Sequence, residues 1–509
     1  MTIATAAAAG TMLATFATTR TVLARKEAPM MTLPFPTRLQ QAASPTIRLR
    51  HLLPDAEFLG CRDLVVAGIS TDAHAVERGQ VFVSIDGTSD DLSRAVERGA
   101  SGVIVGQPLE VSGVIQVVVS DTRSAFATIS QCLAGNPSRW LPLVGVTGQS
   151  GKTAASIFLR SIFEADGRRV GVIPPEQHQG PRSNAASRIA AKINAALDRR
   201  CDLALLSLSA ESLADRVADG LLLDAALIGP GRPPVLPSGG DARSSLRAMA
   251  RMTRSVRPGG LIAIEAGDPE MGLLAATNLS ARVVTYGVGG LGDITADVED
   301  RDLDGTRFRL RGLDRERIVQ LRPIGEPALL AALGAASVAR DYGASDGAIV
   351  AGLESVRCIP GRLEPIAVGS RYRVFVDRAT SGRSLRAAAR TLRERVSGEI
   401  ITVLAITADP GRAAEIVVAV ESEGLRVILT RAEPASVVID LESTVNRFRQ
   451  PGRVRVCHDR GKALEAAMEM CGPDDVVAIF GLRPDESQAD SEVVHGWLRR
   501  DQPPARRSA

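Results

Sequence analysis

Gly148, Gly151, Lys152 and Thr153 fall close together in "GVTGQSGKT" (145 to 153), and together they supply what a polyphosphate requires. Glycines let successive backbone N–H groups converge on phosphate oxygens, a lysine ammonium neutralises the outer charge, and a following hydroxyl binds Mg2+. Gln149 and Ser150 complete the loop. The usual spacing is G-x-x-x-x-G-K-[ST], whereas here the first glycine stands one place early, at Gly145, with Val146 in its place. Lysine is scarce in this chain: Lys26, Lys152, Lys192 and Lys462 are the only four among 61 basic residues. Its use inside the loop therefore selects a flexible ammonium over a guanidinium fork. Two readings stay open, a glycine-rich turn that merely begins a helix and a nucleotide site, present or ancestral.

The elements that must hold this loop are legible around it. "LPLVGVTGQSGKTAASIFLR" (141 to 160) reads as strand, loop and helix, the order that puts a helix N-terminus under an anion. Downstream, strands "RRVGVI", "DLALLSL", "LDAALIG" and "GGLIAIEA" alternate with helices "RIAAKINAALDRR" and "SSLRAMARMTRSV", which predicts a mainly parallel sheet buried on both faces. A more polar, antiparallel stretch (295 to 322) and a helix over 326 to 341 lead to "CIPGRLEPI", a Pro-Gly-Arg linker. Upstream, 64 to 135 reads as a smaller α/β unit that ends where "NPSRW" (136 to 140) breaks the pattern. After the linker, strands such as "YRVFVD", "EIITVLAI" and "DDVVAIFG" again alternate with helices. The expected fold class is α/β in three domains, 46–136, 137–358 and 359–509, with the nucleotide loop in the central one. Residues 1–45 are expected to be a disordered tail or an over-extended start upstream of Met30 or Met31, with a targeting peptide as the alternative.

Composition narrows the function classes. The 509 residues exceed one ordinary core, and 45% apolar with 3% aromatic residues fits an alanine- and valine-rich globular protein. No apolar run approaches the roughly 20 residues of a membrane span, so a soluble, cytoplasmic protein is expected. Basic and acidic residues nearly cancel, 61 against 58, with no long basic block to mark a nucleic-acid surface. Six cysteines without CxxC or zinc spacing are expected to be reduced core residues. His51, His74, His178, His458 and His495 are dispersed and are expected to be surface or satisfied histidines.

The loop resembles the "GVTGTNGKT" of the Mur ligases, which also place the glycine one residue early. Among them the likeness is closest to the UDP-N-acetylmuramoyl-tripeptide synthetases. "STDAHAVERGQVFVSIDGT" is similar to their "DSR…PGDLFVA…G" segment, "IPGRLEPI" to their linker, and "VFVDRATSGRSL" occupies the place of "VLVDYAHTPDAL". The likeness spans roughly 46 to 500. It implies a three-domain architecture with a central P-loop domain and a Rossmann-like C-terminal domain. It further implies ATP and Mg2+ as cofactors, a UDP-linked muramoyl peptide precursor as partner, and amide-bond formation through an acyl phosphate. By the same resemblance Gly148 to Thr153 hold nucleotide, with Thr153 on the metal, Asp72 faces the uridine substrate, Arg362 lies in the linker and Asp377 lies near the ribose.

The resemblance also marks departures. The family glutamate of "MEVSSH" corresponds to Ser207 in "LSLSAE", its histidine to Glu211, and the carbamylated lysine near "KARLFRSLKPGG" to Met249. "GPGRPPVLPSGG" (229 to 240) replaces an acid- and histidine-bearing segment, Glu265 replaces an adenine-side asparagine, and "TRAEPA" (430 to 435) and "GLRPDE" (481 to 486) replace the third-domain motifs. A hydroxyl or thioether cannot supply Mg2+ with carboxylate charge. Two functions are therefore expected as alternatives: the ATP-dependent ligase that adds the third amino acid to UDP-N-acetylmuramoyl-dipeptide, or a catalytically silent paralogue that binds nucleotide or precursor as a regulator or partner subunit.

Overall fold

A computed structural model describes residues 46–501 apart from 86, 111–112, 149, 176–183, 232–241, 367–371, 380, 407–409, 432–443 and 482–485. The chain organises around three α/β sheets. The first has five strands in the order Glu57–Leu59, Gln116–Val118, Gly102–Val105, Val81–Val83 and Ile69–Ser70, parallel except for the first of these. Its helices begin on defined caps. Thr88 and Asp91 form a reciprocal capping box at Ser89–Glu97, and Asp121 caps Thr122–Leu133, each satisfying N–H groups that a helix start leaves open.

The central sheet has nine strands, ordered Arg317–Leu321, Gly305–Arg311, Ile294–Asp302, Arg282–Val288, Val256–Glu265, Leu223–Ile228, Leu143–Thr147, Leu203–Ser207 and Val170–Ile173. Parallel pairing runs from Val170–Ile173 to Ile294–Asp302, and the last two strands turn antiparallel, matching the expectation for 295 to 322. Val144 and Val146 face one core, with helices Lys152–Ala165 and Glu326–Asp341, while Leu143 faces a second core containing Ile189, Met249 and Met252. Apolar burial on both faces is what a parallel sheet demands.

The third sheet has six strands, ordered Glu364–Pro365, Arg373–Asp377, Val476–Phe480, Ile400–Ile406, Arg426–Arg431 and Val454–Val456. All pairs are parallel except the first.

Several helices escape the sequence reading, among them the short Ala210–Ala214 and Pro269–Ala275 and two longer ones. Asp346–Ser355 intervenes before the linker, which does not follow directly on the helix ending at Asp341. Its glycines obscure its helical character, yet Gly352 allows backbone contact with the helix Lys152–Ala165, since a Cβ there would lie 2.4 Å from the Ile162 Cα. Glu486–Asp501 closes the chain's last described turn. The cysteines also differ from expectation. All six are free but only partly buried; Cys61, Cys201, Cys457 and Cys471 lie against the edges of cores rather than within them.

The first sheet's elements meet the central ones through reciprocal ion pairs, Arg123–Asp215 at 2.7 Å and Arg216–Asp121 at 2.8 Å, and through Thr71 donating to Asn184 at 2.8 Å. We propose domain boundaries near 137 and 359, and limited trypsin digestion is expected to separate the C-terminal fragment first. Arg357 and Arg362 flank that linker and are exposed, whereas Pro137 and Ser138 are buried. A resistant fragment crossing 359 as one unit would count against that boundary.

Candidate nucleotide site

The 148–153 loop closes the carboxyl end of the strand Leu143–Thr147, at the centre of the nine-stranded sheet, where ligands of parallel α/β sheets bind. Gly148 (φ 133°) and Gly151 (φ 76°) adopt backbone conformations that side chains disfavour. Gly148 packs so closely on Gly229 that a Cβ would lie 2.8 Å from its backbone. Gly229 donates to the Thr147 carbonyl at 2.6 Å and Ser150 Oγ to the Pro230 carbonyl at 3.1 Å, so the loop is braced by the next strand's end. The early glycine has a different task. Gly145 lies within its strand, where Leu223 and Met252 leave a Cβ only 2.9 and 3.1 Å. The glycines that shape the loop are therefore Gly148 and Gly151.

Lys152 is the first residue of the helix Lys152–Ala165, at the end that carries partial positive charge. Its Nζ donates to the Gly148 carbonyl at 2.7 Å. Burial, reinforced by the nearby Arg362 guanidinium, pushes the ammonium pKa down to about 8. Thr153, beside it, is exposed. The reading of Gln149 lies outside the described residues.

Arg362, in the linker, lies within electrostatic reach of Lys152, and Asp377 of the third sheet lies beside Arg362. Asp377 ends the strand Arg373–Asp377 and is 5% exposed; it accepts from Leu363 N–H at 2.9 Å, and Arg362 Nη1 lies 3.7 Å away. Burial raises the Asp377 pKa, opposed by Arg362 and by N–H groups of Leu363 and Ala379. Arg362 thus stands between the two, coupled to Lys152 on one side and to Asp377 on the other. Asp72 is placed apart, in the turn after Ile69–Ser70, where its carboxylate accepts from His74 N–H at 2.9 Å. His74 Nε2 in turn meets Arg94 at 2.6 Å.

The positions that depart from the Mur pattern are occupied by structure. Ser207 Oγ lies 2.9 Å from Ser156 Oγ of the loop's helix, with both residues buried. Met249 is wholly buried in the apolar core on the sheet's other face. Glu211 sits in the first turn of the short helix Ala210–Ala214. Glu265, at the end of Val256–Glu265, accepts from Gly231 N–H at 3.4 Å, and burial raises its pKa, with Asp268 and Glu326 adding like charge. Sequence reading treated Glu265 only as a substitution, and the acid grouping around it emerges from the fold. The segments replacing the other motifs lie largely outside the described residues, at 232–241, 432–443 and 482–485.

These residues fit a phosphate chain: a half-buried ammonium that donates to a neutral carbonyl, at a helix start shaped by two glycines of positive φ. They do not fit a carboxylate-bound second metal. Among the described residues no three His, Cys, Asp or Glu side chains converge to hold an ion.

Residues 361–483 match the family model for the Mur ligase glutamate ligase domain. The chain is similar to UDP-N-acetylmuramoyl-L-alanyl-D-glutamate–2,6-diaminopimelate ligase of Parabacteroides distasonis, 24% identical over 471 residues, covering 87% of this chain and 95% of that protein. Over most of its length the chain is similar to Mur ligases, and residues 361–483 carry that family's glutamate ligase domain. A solved structure of a ligase with the same name superimposes with a TM-score of 0.65 at 19% identity, covering 89% of this chain and all of the other. The MurF ligase of Thermotoga maritima in complex with ADP gives 0.57 at 16% identity, over 86% and 98% of the two chains. Both show that this chain has the three-domain α/β fold. No helix among its described residues is long and apolar enough to cross a membrane.

The Lys152 ammonium gives this Mur ligase homologue a defined pH response. Phosphate oxygens beside it favour the charged form, so above pH 8 nucleotide binding is expected to take up protons and affinity to fall as pH rises. Calorimetry at pH 8.5 in two buffers of different ionisation enthalpy reads the uptake, and buffer-independent heats would contradict it. The same shift acts on folding. The unfolded lysine, near 10.4, binds more protons than the folded one between about 8 and that value, so this group makes the ligand-free fold more stable as pH rises through the window.

Proposed function

We propose that this protein is a nucleotide-binding member of the peptidoglycan-precursor ligases, working in the cytoplasm on a UDP-linked muramoyl peptide. The outer phosphates of ATP lie against Lys152 and the loop N–H groups, with the Thr153 hydroxyl available to the accompanying Mg2+. Arg362 and Asp377 face the nucleotide from the third domain, and the first domain, around Asp72, receives the precursor. ATP, when bound, supplies the phosphoryl group that activates a carboxylate. The chain's own part is to orient the phosphates, hold their charge and exclude water. The observation that carries the reading is the half-buried Lys152 ammonium at the start of a helix, whose hydrogen bond among the described residues goes to a neutral carbonyl. Calorimetric titration of the purified chain with ATP and Mg2+ tests it, and absence of binding would remove it.

A second reading has its own observation. The Ser156–Ser207 hydrogen bond and the burial of Met249 leave the metal-binding positions of the family without acid, which favours a silent relative that holds nucleotide or precursor and acts as a regulator or partner subunit.

A further inference from the structure

The hairpin joining Ile294–Asp302 to Gly305–Arg311 turns in two residues, Leu303 and Asp304, with Asp302 paired to Gly305. Tight hairpin turns favour Asn, Asp and Gly, so a leucine at this tip needs a reason. Leu303 is half-buried and packs against the core of the third sheet, among residues that include Phe375, Leu385 and Leu392. Beside it, Asp304 makes a two-pronged contact with Arg373, at 2.7 and 3.0 Å. Arg395, whose side chain is 2% exposed, lies within electrostatic reach of Asp302 and Arg301.

Arg373 opens the strand whose other end is Asp377. That strand is paired with Val476–Phe480 on one side and Glu364–Pro365 on the other, so it behaves as a short rod. The linker is tied to the same rod: Leu363 N–H donates to Asp377, Arg378 N–H to the Gly361 carbonyl, and Gly361 N–H to Glu364. Ile359 belongs to the central core and Leu363 to the third. A displacement at Arg373 would therefore reach Asp377 through the strand and Arg362 through the linker tied to it.

We propose that the hairpin tip Leu303–Asp304 is a positioning clamp, which holds the third domain so that Arg362 and Asp377 face Lys152. The tip touches no nucleotide and sets affinity through Arg373 and its strand. The pair is exposed, Arg373 at 42% and Asp304 at 62% of the side chain, and is open to screening by salt. The two-residue turn gives the tip little freedom to follow if the pair is broken.

This inference rests on the nucleotide reading above, and the experiment separates the two. ATP affinity is measured for the full chain and for Asp304→Arg, Arg373→Asp and the double exchange, alongside the rate of trypsin cutting in the linker. Each single variant is expected to bind ATP about three- to tenfold more weakly and to be cut faster, with both readouts returning to within about twofold of wild type in the double exchange. Damage unrelated to the pair would not be repaired by reversing both charges. Single variants that match wild type in both readouts, or a double exchange no better than the singles, would overturn the clamp. A wild-type chain that binds no ATP would remove the nucleotide reading, and with it the clamp's effect on affinity, while the cutting rates would still decide whether the tip holds the third domain.

Discussion

Lys152→Ala is expected to weaken ATP binding at least tenfold, about 1.4 kcal/mol, while leaving the fold intact. In a chain with four lysines among 61 basic residues, this one stands at a helix N-terminus beneath a loop shaped by Gly148 and Gly151. Burial holds its pKa near 8, so its charged form is poorly compensated until an anion arrives. Phosphate repays that desolvation, and alanine has nothing to offer it. Removing a poorly compensated ammonium also relieves a cost in the ligand-free state, so the thermal midpoint of Lys152→Ala is expected to be no lower than wild type. Loss of binding with an unchanged midpoint separates the role of the side chain from unfolding. Lys152→Arg is expected to bind weakly too, because the braced loop leaves a planar fork no room to rotate. Lys462→Ala, in the third domain, serves as the control and should bind as wild type does. Equal affinity of wild type and Lys152→Ala would overturn the site.

The elements that hold this site were legible where local signals agreed. Strand, glycine loop and helix over 141 to 160 carried periodicity and turn chemistry together, and the polar alternation of 295 to 322 announced its antiparallel pairing. Asp346–Ser355 was not legible, since Gly347 and Gly352 argue against a helix and only the contact with Ile162 shows why Gly352 is there. The role of Gly145 is not legible for a similar reason: its meaning lies in Leu223 and Met252, distant in sequence. Of the site, Lys152 could be found from residue type and spacing alone, whereas Arg362 and Asp377 came from family likeness and acquired a neighbourhood only once the third sheet was placed. The Ser156–Ser207 contact had no signal at all, because two serines 51 positions apart announce nothing until a helix and a strand are laid side by side. The turn residue Leu303 had a weak one, an apolar side chain where turn formers are usual.

Ligase turnover is expected to be at least about a thousandfold below the roughly 10 per second typical of enzymes. A divalent ion beside a triphosphate contributes several kcal/mol of transition-state stabilisation, and each 1.36 kcal/mol lost is about a tenfold fall in rate. Here the position of the family's metal-facing glutamate holds a buried Ser207 hydroxyl already committed to Ser156, and Met249 turns its side chain into the apolar core. Retained loop contacts can hold ATP but cannot supply that missing charge. Nor is Ser207→Glu expected to rescue turnover alone, since a carboxylate placed between buried groups favours its neutral form and displaces the Ser156 hydroxyl. The assay is ADP release with UDP-N-acetylmuramoyl-dipeptide and a panel of amino acids including diaminopimelate and lysine, each in the presence of ATP and Mg2+. Turnover near about one per second that disappears in Lys152→Ala would show that other acids, Glu211 or Glu265, have taken over the metal. That result would reject the silent-relative reading and leave a ligase with a rebuilt centre, and Glu265→Gln or Glu211→Gln would then identify which acid does so.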